Sequence, residues 1–348
     1  MTIVEETRAV TGGVDTHADV HVAAALDELG ALLGTAEFAT TPDGYAALLA
    51  WLDGFGPVTK IGIEGTGSYG AGLARTATAH GTTVVEVDCP NRQDRFRHGK
   101  SDTVDAVSAA RAALSGHAAG LPKGGTGPVE AMRVILVAKR SARAERVRTL
   151  NQMRHLVFAA PDDIRARFYG LNVYNLTRQA AAMRPRPADG VDYVTLYTLR
   201  ELGRRVRLLE AEIDRFDELL QPIVAAHAPA LLNVFGCGLF ITATLCVAAG
   251  DQPGRIRNEA AWANLCGVAP IPAGSGKTNG RVRLNRGGNR QANSALYGIV
   301  LVRMGHHEPT KIYVERRRAE GRNTLEIMRC LKRYVARETF KHLPRGAD

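Results

Sequence analysis

The sequence predicts an α/β domain followed by two mainly helical segments, and three observations predict it. Short apolar runs alternate with helix-length runs as far as about residue 118, long helical periodicity follows, and the last third opens on paired glycines before more helical patterning. With 348 residues, 45% of them hydrophobic, the chain can bury more than one core. The boundaries expected are 1–118 for the α/β domain, 119–228 for a helical connector and 229–348 for a basic, mainly helical segment.

In the first domain, Val10 to Asp15 and Val20 to Leu26 read as strands joined by the turn Thr16 to Asp19. Glu37 to Thr40 reads as a short third strand before a helix from Pro42 to Leu52. Lys60 to Glu64 is a short apolar strand ending on an acid, followed by the glycine-rich Gly65 to Gly70, a helix through about His80 and a strand from Thr83 to Val87. After a Gly/Pro/Lys linker, Gly120 to Gly127, a helix over roughly Val129 to Ala159 carries Lys139, Arg140, Arg143, Arg146, Arg148 and Arg154. Leu199, Leu202, Val206, Leu209, Ile213, Phe216, Leu220 and Ile223 follow 3-4 spacing, a heptad seam that predicts helix pairing in a coiled-coil-like manner. Its partner is either the helix at 129–159, as a hairpin, or a second copy. In the last segment, Phe235-Gly236-Cys237-Gly238 before an apolar helical run suits a helix-hairpin-helix, whose backbone N–H groups can hold a phosphate.

The acids carry the chemistry. Asp15 ends the first strand and Glu64 ends a later one, while Asp102 and Asp105 sit three apart in His98-Gly99-Lys100-Ser101-Asp102-Thr103-Val104-Asp105-Ala106. Taken alone, Asp102 reads as an N-cap and Asp105 as its N3 partner. Acids at two strand ends faced by an i, i+3 helical pair can instead converge on one crevice, where hard divalent cations, magnesium first among them, neutralise them for phosphodiester chemistry.

Ala273-Gly274-Ser275-Gly276-Lys277-Thr278 invites a P-loop reading, but Ile271 stands where that motif needs glycine and prolines stand where it needs a strand, which excludes a nucleotide triphosphatase of that type. What remains is Ser275 between glycines, followed by Lys277, Arg281, Arg283, Arg286 and Arg290: a nucleophile whose target phosphate the cations hold, or a turn residue in a phosphate-binding loop.

Formal net charge is +10, and from Ile271 onward about 17 Lys or Arg face about 6 Asp or Glu, including the run Arg316-Arg317-Arg318. That points to a polyanion partner, against the alternative of a solubilising surface. Five cysteines without CxxC spacing argue against a disulfide framework or zinc knuckle, and no signal-like or membrane-spanning run is present, so a cytoplasmic, nucleoid-associated protein is expected.

Together these motifs resemble the DEDD-type insertion-sequence transposases related to the Piv DNA invertases, the family numbered one hundred and ten. Gly13-Val14-Asp15, Ile63-Glu64-Gly65-Thr66-Gly67 and Lys100 to Ala106 match the acidic motifs in order, and Phe235 to Gly238, Cys266-Gly267-Val268-Ala269-Pro270, Ser275-Gly276 and Arg286-Gly287-Gly288-Asn289-Arg290 match the later ones. The resemblance implies a RuvC-like, RNase H-type first domain, with Asp15, Glu64, Asp102 and Asp105 holding Mg2+. It also implies a transposase domain in which Ser275 attacks DNA, a non-coding bridge RNA pairing with donor and target DNA, and a homo-oligomer. Gly274 stands where many relatives carry a second serine, which leaves Ser275 as the local candidate. A metal-dependent nuclease with a structural Ser275 and an architectural nucleic-acid binder are the other readings of the same residues.

Overall fold

The computed structural model describes residues 9–87, 101–118, 120–122, 125, 127–187, 190–251, 255–272, 274, 282–284 and 287–344. The chain divides into two compact units, one containing the chain up to Gly127 together with Ala249–Arg257, the other Pro128–Ala248 with Asn258–Pro344.

The first unit is built on a five-stranded mixed sheet in the order β3-β2-β1-β4-β5. Its strands are β1 (Val10–Thr16), β2 (Val20–Leu26), β3 (Leu32–Ala39), β4 (Val58–Glu64) and β5 (Thr83–Val87). β1, β2 and β3 form an antiparallel meander, whereas β4 runs parallel to β1 and β5 parallel to β4. The third strand begins at Leu32, five residues before the strand expected at Glu37. As an edge strand it buries neither face fully, so it lacks the apolar alternation that marks a strand in sequence. The Asp27 carboxylate, buried itself, accepts from the N–H groups of Leu29 and Ala31 and shapes the β2–β3 turn.

Helices cover both faces. α1 (Pro42–Asp53), capped by the Thr41 hydroxyl, and α2 (Ala71–Ala79) pack Leu48, Leu52, Leu73 and Ala77 onto Val14, Ala23, Ala25, Ile61 and Ile63. The opposite face receives α3 (Asp102–Leu114), whose Ala106 and Val107 meet Val22 and Ala24. Its approach is unusually close because the sheet offers glycine: a Cβ on Gly13 would lie 2.1 Å from the backbone N of Ala110, and one on Gly62 would lie 2.6 Å from the Ala109 carbonyl. Alanines line the helix where it touches, so backbone lies nearly against backbone.

In the second unit, α4 (Gly127–Ala159) and α7 (Val191–His227) run antiparallel: Lys139 pairs with Asp217 and Arg146 with Glu210 at 2.6 Å, the numbers falling on one helix as they rise on the other, and Glu145 also pairs with Arg205 at 2.6 Å. Leu199 and Val206 of the seam pack inside the chain with Leu150 and Met153, with Ile164 and Phe168 around α5 (Asp162–Phe168), and with Leu176 and Ala180 of α6 (Val173–Ala182). Of the two partners the spacing allowed, the helix at 129–159 is therefore seated on the seam, with α5 and α6 added to it. The short α8 (Pro229–Leu232) and α9 (Leu239–Ala249) flank the glycine pair, and Gly236, at φ +89°, lies where a Cβ would press on Ile299. There the positive φ and the close packing account for the glycine.

α10 (Glu259–Leu265), the two-stranded β6 (Pro270–Pro272) and β7 (Val282–Leu284), then α11 (Arg290–His306), α12 (Glu308–Ala319) and α13 (Thr324–His342) complete the unit. Trp262, fully buried, donates its indole N–H to Thr339, and the buried Arg303 makes a two-pronged bond to Glu338 at 2.6 and 3.1 Å while donating to the Phe235 carbonyl. No helix among the described residues is long and apolar enough to cross a membrane.

Candidate acidic site and its relatives

Strand register places the first two acids. Val14 of β1 pairs with Ile63 of the parallel β4, so Asp15 and Glu64 come next on neighbouring strands, two residues beyond Gly13 and Gly62 and therefore on the face that α3 covers. α3 runs antiparallel to both strands, its Ala106 and Ala110 over Gly13 and its Ala109 and Ala113 over Gly62. That direction brings its first turn, with Asp102 and Asp105, back to the ends of β1 and β4.

The cap is Ser101, whose hydroxyl accepts from the Val104 N–H, so Asp102 is the first helical residue and not the N-cap it resembles when the DxxD pair is taken alone. This matters chemically, because the serine satisfies the helix end and leaves the Asp102 carboxylate for other partners. Asp105 is buried beneath the first turn.

Asp15, His17 and Asp102 each present a ligand atom within 4.8 Å of the others. His17 Nε2 lies 3.2 Å from Asp15 Oδ2 and 3.4 Å from Asp102 Oδ2, contacts of ion-pair length without the angles of a hydrogen bond. Burial pushes the Asp15 carboxyl above the ordinary carboxylate range; His17 opposes that, and Asp105 and Asp102 add to it by repulsion. Thr16 fixes the end of β1 by donating to the Glu64 carbonyl at 2.9 Å. His17 is the residue sequence reasoning left without a role. Its position two after Asp15, inside Asp15-Thr16-His17, was the available signal.

The predicted cations fall differently. Ser275, Lys277, Arg281 and Arg286 lie outside the described residues, as does the side chain of Arg283 on β7. Arg290 is exposed at the start of α11, behind Asn289, which caps that helix by accepting from Gln291 and Ala292. On α12, Arg317 pairs with Glu320, Arg316 lies over the Tyr313 ring at 5.4 Å and 3.8 Å from Glu320, and Arg318 is exposed. Two of the later motifs meet: a Cβ on Gly288 would lie 2.3 Å from the Gly267 N, Asn289 donates its N–H to the Leu265 carbonyl, and Asn293 donates to the Cys266 carbonyl at 2.8 Å. They bracket β6 and β7, between which Ser275 falls in the sequence.

A family model described as a transposase, of the DEDD type, matches residues 12–159, which contain all four acids and α3. A second, described as transposase of the IS116/IS110/IS902 family, matches residues 228–315, from the start of α8 into α12. The chain belongs to the IS110-type insertion-sequence transposases. Curated relatives agree with that membership. The 42 kDa protein of insertion element IS900 from Mycobacterium paratuberculosis is 25% identical over 178 residues, 45% of each chain. The 43.6 kDa protein of insertion element IS110 from Streptomyces coelicolor is 30% identical over 142 residues, 40% of this chain and 33% of that one. The aligned regions thus span less than half the length of either relative. As a DEDD-type transposase the chain belongs among proteins that use divalent metal, and the Asp15-His17-Asp102 cluster is where the described residues could hold such an ion.

Proposed function

We propose that this transposase cuts and exchanges DNA strands for its insertion sequence under the direction of a bridge RNA, using a RuvC-like site of Asp15, Glu64, Asp102 and Asp105 that holds Mg2+ and Ser275 as nucleophile. The observation that carries this reading is the convergence of Asp15 and the α3 acids at the ends of the inner strands β1 and β4, within a chain of which two segments match transposase models. The sheet order, with a three-stranded antiparallel meander joined to two parallel strands and a helix laid against glycines, supports the RuvC-like assignment. Boundaries at 118 and 228 are proposed for the RuvC-like, connector and transposase segments, with donor and target DNA as substrates and a homo-oligomer as the working form.

The donors fit a hard cation. Asp15, a buried carboxylate raised above its usual range by burial and by Asp105 and Asp102, with His17 opposing, offers together with Asp102 oxygen donors that a hard cation would neutralise. Bound there, Mg2+ would neutralise the acids and stabilise charge developing on a phosphate. The chain's own residues do the rest. Thr16 and the glycine-seated α3 hold the carboxylates in place, and Lys277, Arg281, Arg283, Arg286 and Arg290 hold the DNA phosphate. Ser275 Oγ forms a bond to phosphorus as the bond from phosphorus to the deoxyribose oxygen breaks; the serine proton passes to a basic group and the departing oxygen takes up a proton. Attack of a second strand's hydroxyl on the phosphoserine reverses these bonds and joins the strands.

Incubating purified protein with bridge RNA and labelled donor and target DNA, then denaturing, tests each part. Asp102→Asn should reduce strand exchange at least about a thousandfold while nucleic-acid binding persists. Ser275→Ala should abolish the covalent protein–DNA adduct. Exchange at the parental rate in Ser275→Ala would leave the acidic site to do the chemistry through water and a DNA hydroxyl, and full activity of Asp102→Asn would remove the acidic site from the mechanism.

A further inference from the structure

We infer that the groove between the segment Gly267–Pro270 and helix α13 is a binding site for one nucleotide of a single strand, its base stacked on Tyr334 and its phosphate held by Arg329 and Lys332. The inference goes beyond the strand-exchange reading, since it concerns binding by residues outside the acidic site, the Ser275 loop and the Arg316–Arg318 run.

The groove is a concavity of about 460 Å3, within the range of sites that take a small molecule and large enough for one nucleotide. One wall is backbone and apolar side chain from Val268 to Pro270; the other is a face of α13 bearing Arg329, Lys332, Arg333, Tyr334 and Arg337. Four cations in one concavity repel each other, and the described acid beside them, Glu259, binds Arg333 and also lies 3.4 Å from Arg337. Arg329 is exposed, and Lys332, half-buried, has a neutral partner, the Asn293 Oδ1 at 2.8 Å. The groove therefore holds net positive charge where a phosphodiester would supply the missing anion.

Tyr334 adds the second half of the recognition. It is 53% exposed, although apolar rings on a packed helix are normally turned inward, and its plane is fixed by an edge-on contact with Tyr313 at 5.8 Å and 82°. Arg316 covers the Tyr313 ring in turn, so cation and aromatic groups alternate from α12 into the groove. An exposed aromatic face beside a surplus of cations over acids is the arrangement that holds unpaired bases without reading their sequence, whereas a duplex offers no base face to stack. The groove also lies at the root of the β6–β7 pair that flanks Ser275 in the sequence, where a strand opened for cleavage would run.

The test is fluorescence anisotropy of full-length protein with labelled dT12, U12 and a 12-base-pair duplex across a salt series. Tyr334→Ala should weaken single-strand binding about 5–100-fold and leave the duplex within about twofold, and Tyr334→Trp should retain the parental affinity. Arg329→Ala should lower the magnitude of the single-strand salt slope by about 0.7, the loss of one phosphate contact. Tighter binding of U12 or of dT12 identifies RNA or DNA as the strand received. Because Tyr334 also rests on Tyr313, melting curves accompany each variant, and exposed Arg329 gives a reading that does not depend on packing. Parental single-strand affinity in both variants, or equal losses on single strand and duplex, overturns the inference. Strand exchange is read by joined product in Ser275→Ala and Asp102→Asn, and this site by the dT12 affinity of Tyr334→Ala and Arg329→Ala, so failure of strand exchange and failure of this site are separately visible.

Discussion

His17 and His21 lie four residues apart and do opposite things. His17 faces outward between Asp15 and Asp102 at the acidic cluster, whereas His21, on β2, is fully buried, stacks on Tyr45 at 5.6 Å and finds no well-formed hydrogen bond for either ring nitrogen. Burial lowers the pKa of His21, outweighing the nearby Val20 backbone. Below the ordinary histidine value of about 6.5, the unfolded chain therefore binds a proton that the folded chain refuses, and stability falls as pH drops toward the lowered folded value. The loss should reach at most about 1.4 kcal/mol per pH unit. His21→Phe keeps the stack on Tyr45 and removes the proton, so chemical denaturation between pH 5 and 7 (about one unit either side of the free histidine value) should show a flatter dependence than the parent's. An unchanged slope would mean that another group carries the acid sensitivity. The buried thiols of Cys237, Cys246 and Cys266 are pushed up to about 12 by burial, which keeps them protonated and inert at neutral pH.

At the scale of elements, the site depends on how closely α3 lies on the sheet. The spacing is set by Gly13 and Gly62, each two residues before its acid, and by the alanines of the helix. Gly13→Ala places a methyl 2.1 Å from the Ala110 N and 2.4 Å from the Ala106 carbonyl, both backbone atoms that yield only if the helix moves. The expected cost is at least the about 1–3 kcal/mol typical of overpacking, read as a lower denaturation midpoint at unchanged m, together with loss of the proposed strand exchange because Asp102 and Asp105 move with the helix. Parental stability and activity would show that α3 is seated by other contacts. The heptad seam of α7 has a related lesson. Its spacing identified a face that is buried at Leu199, Val206 and Leu220 and half-buried at its other positions, but several partners fit a seam, and Gly203, which admits the Ala181 backbone of α6, is not a heptad signal at all.

For the whole molecule, charge count and available charge differ. The carboxy-terminal surplus includes Arg303, spent on Glu338 inside the fold, Arg333, spent on Glu259, and Arg317, spent on Glu320. Replacing Arg316, Arg317 and Arg318 together by alanine should therefore flatten the salt dependence of duplex binding by about 1–2 contacts, at about 0.9 per phosphate, and not by three. A full loss of three would show that the Glu320 pair opens on binding; no change would make α12 a solvated face. The sequence by itself determined the strands and helices of the α/β unit apart from the start of β3, and it marked four candidate acids and the later glycine motifs, because these depend on local periodicity and on residue types that few other chemistries use together. Tertiary structure decided that Ser101 and not Asp102 caps α3, that β3 starts at Leu32, that His17 stands between two of the acids, and that Tyr334 and Arg329 share a groove with Val268 and Pro270. Each of these is a meeting of residues distant in the chain or a choice among equally suitable neighbours, and no local pattern encodes which backbone, cation or ring will lie opposite once the chain has folded.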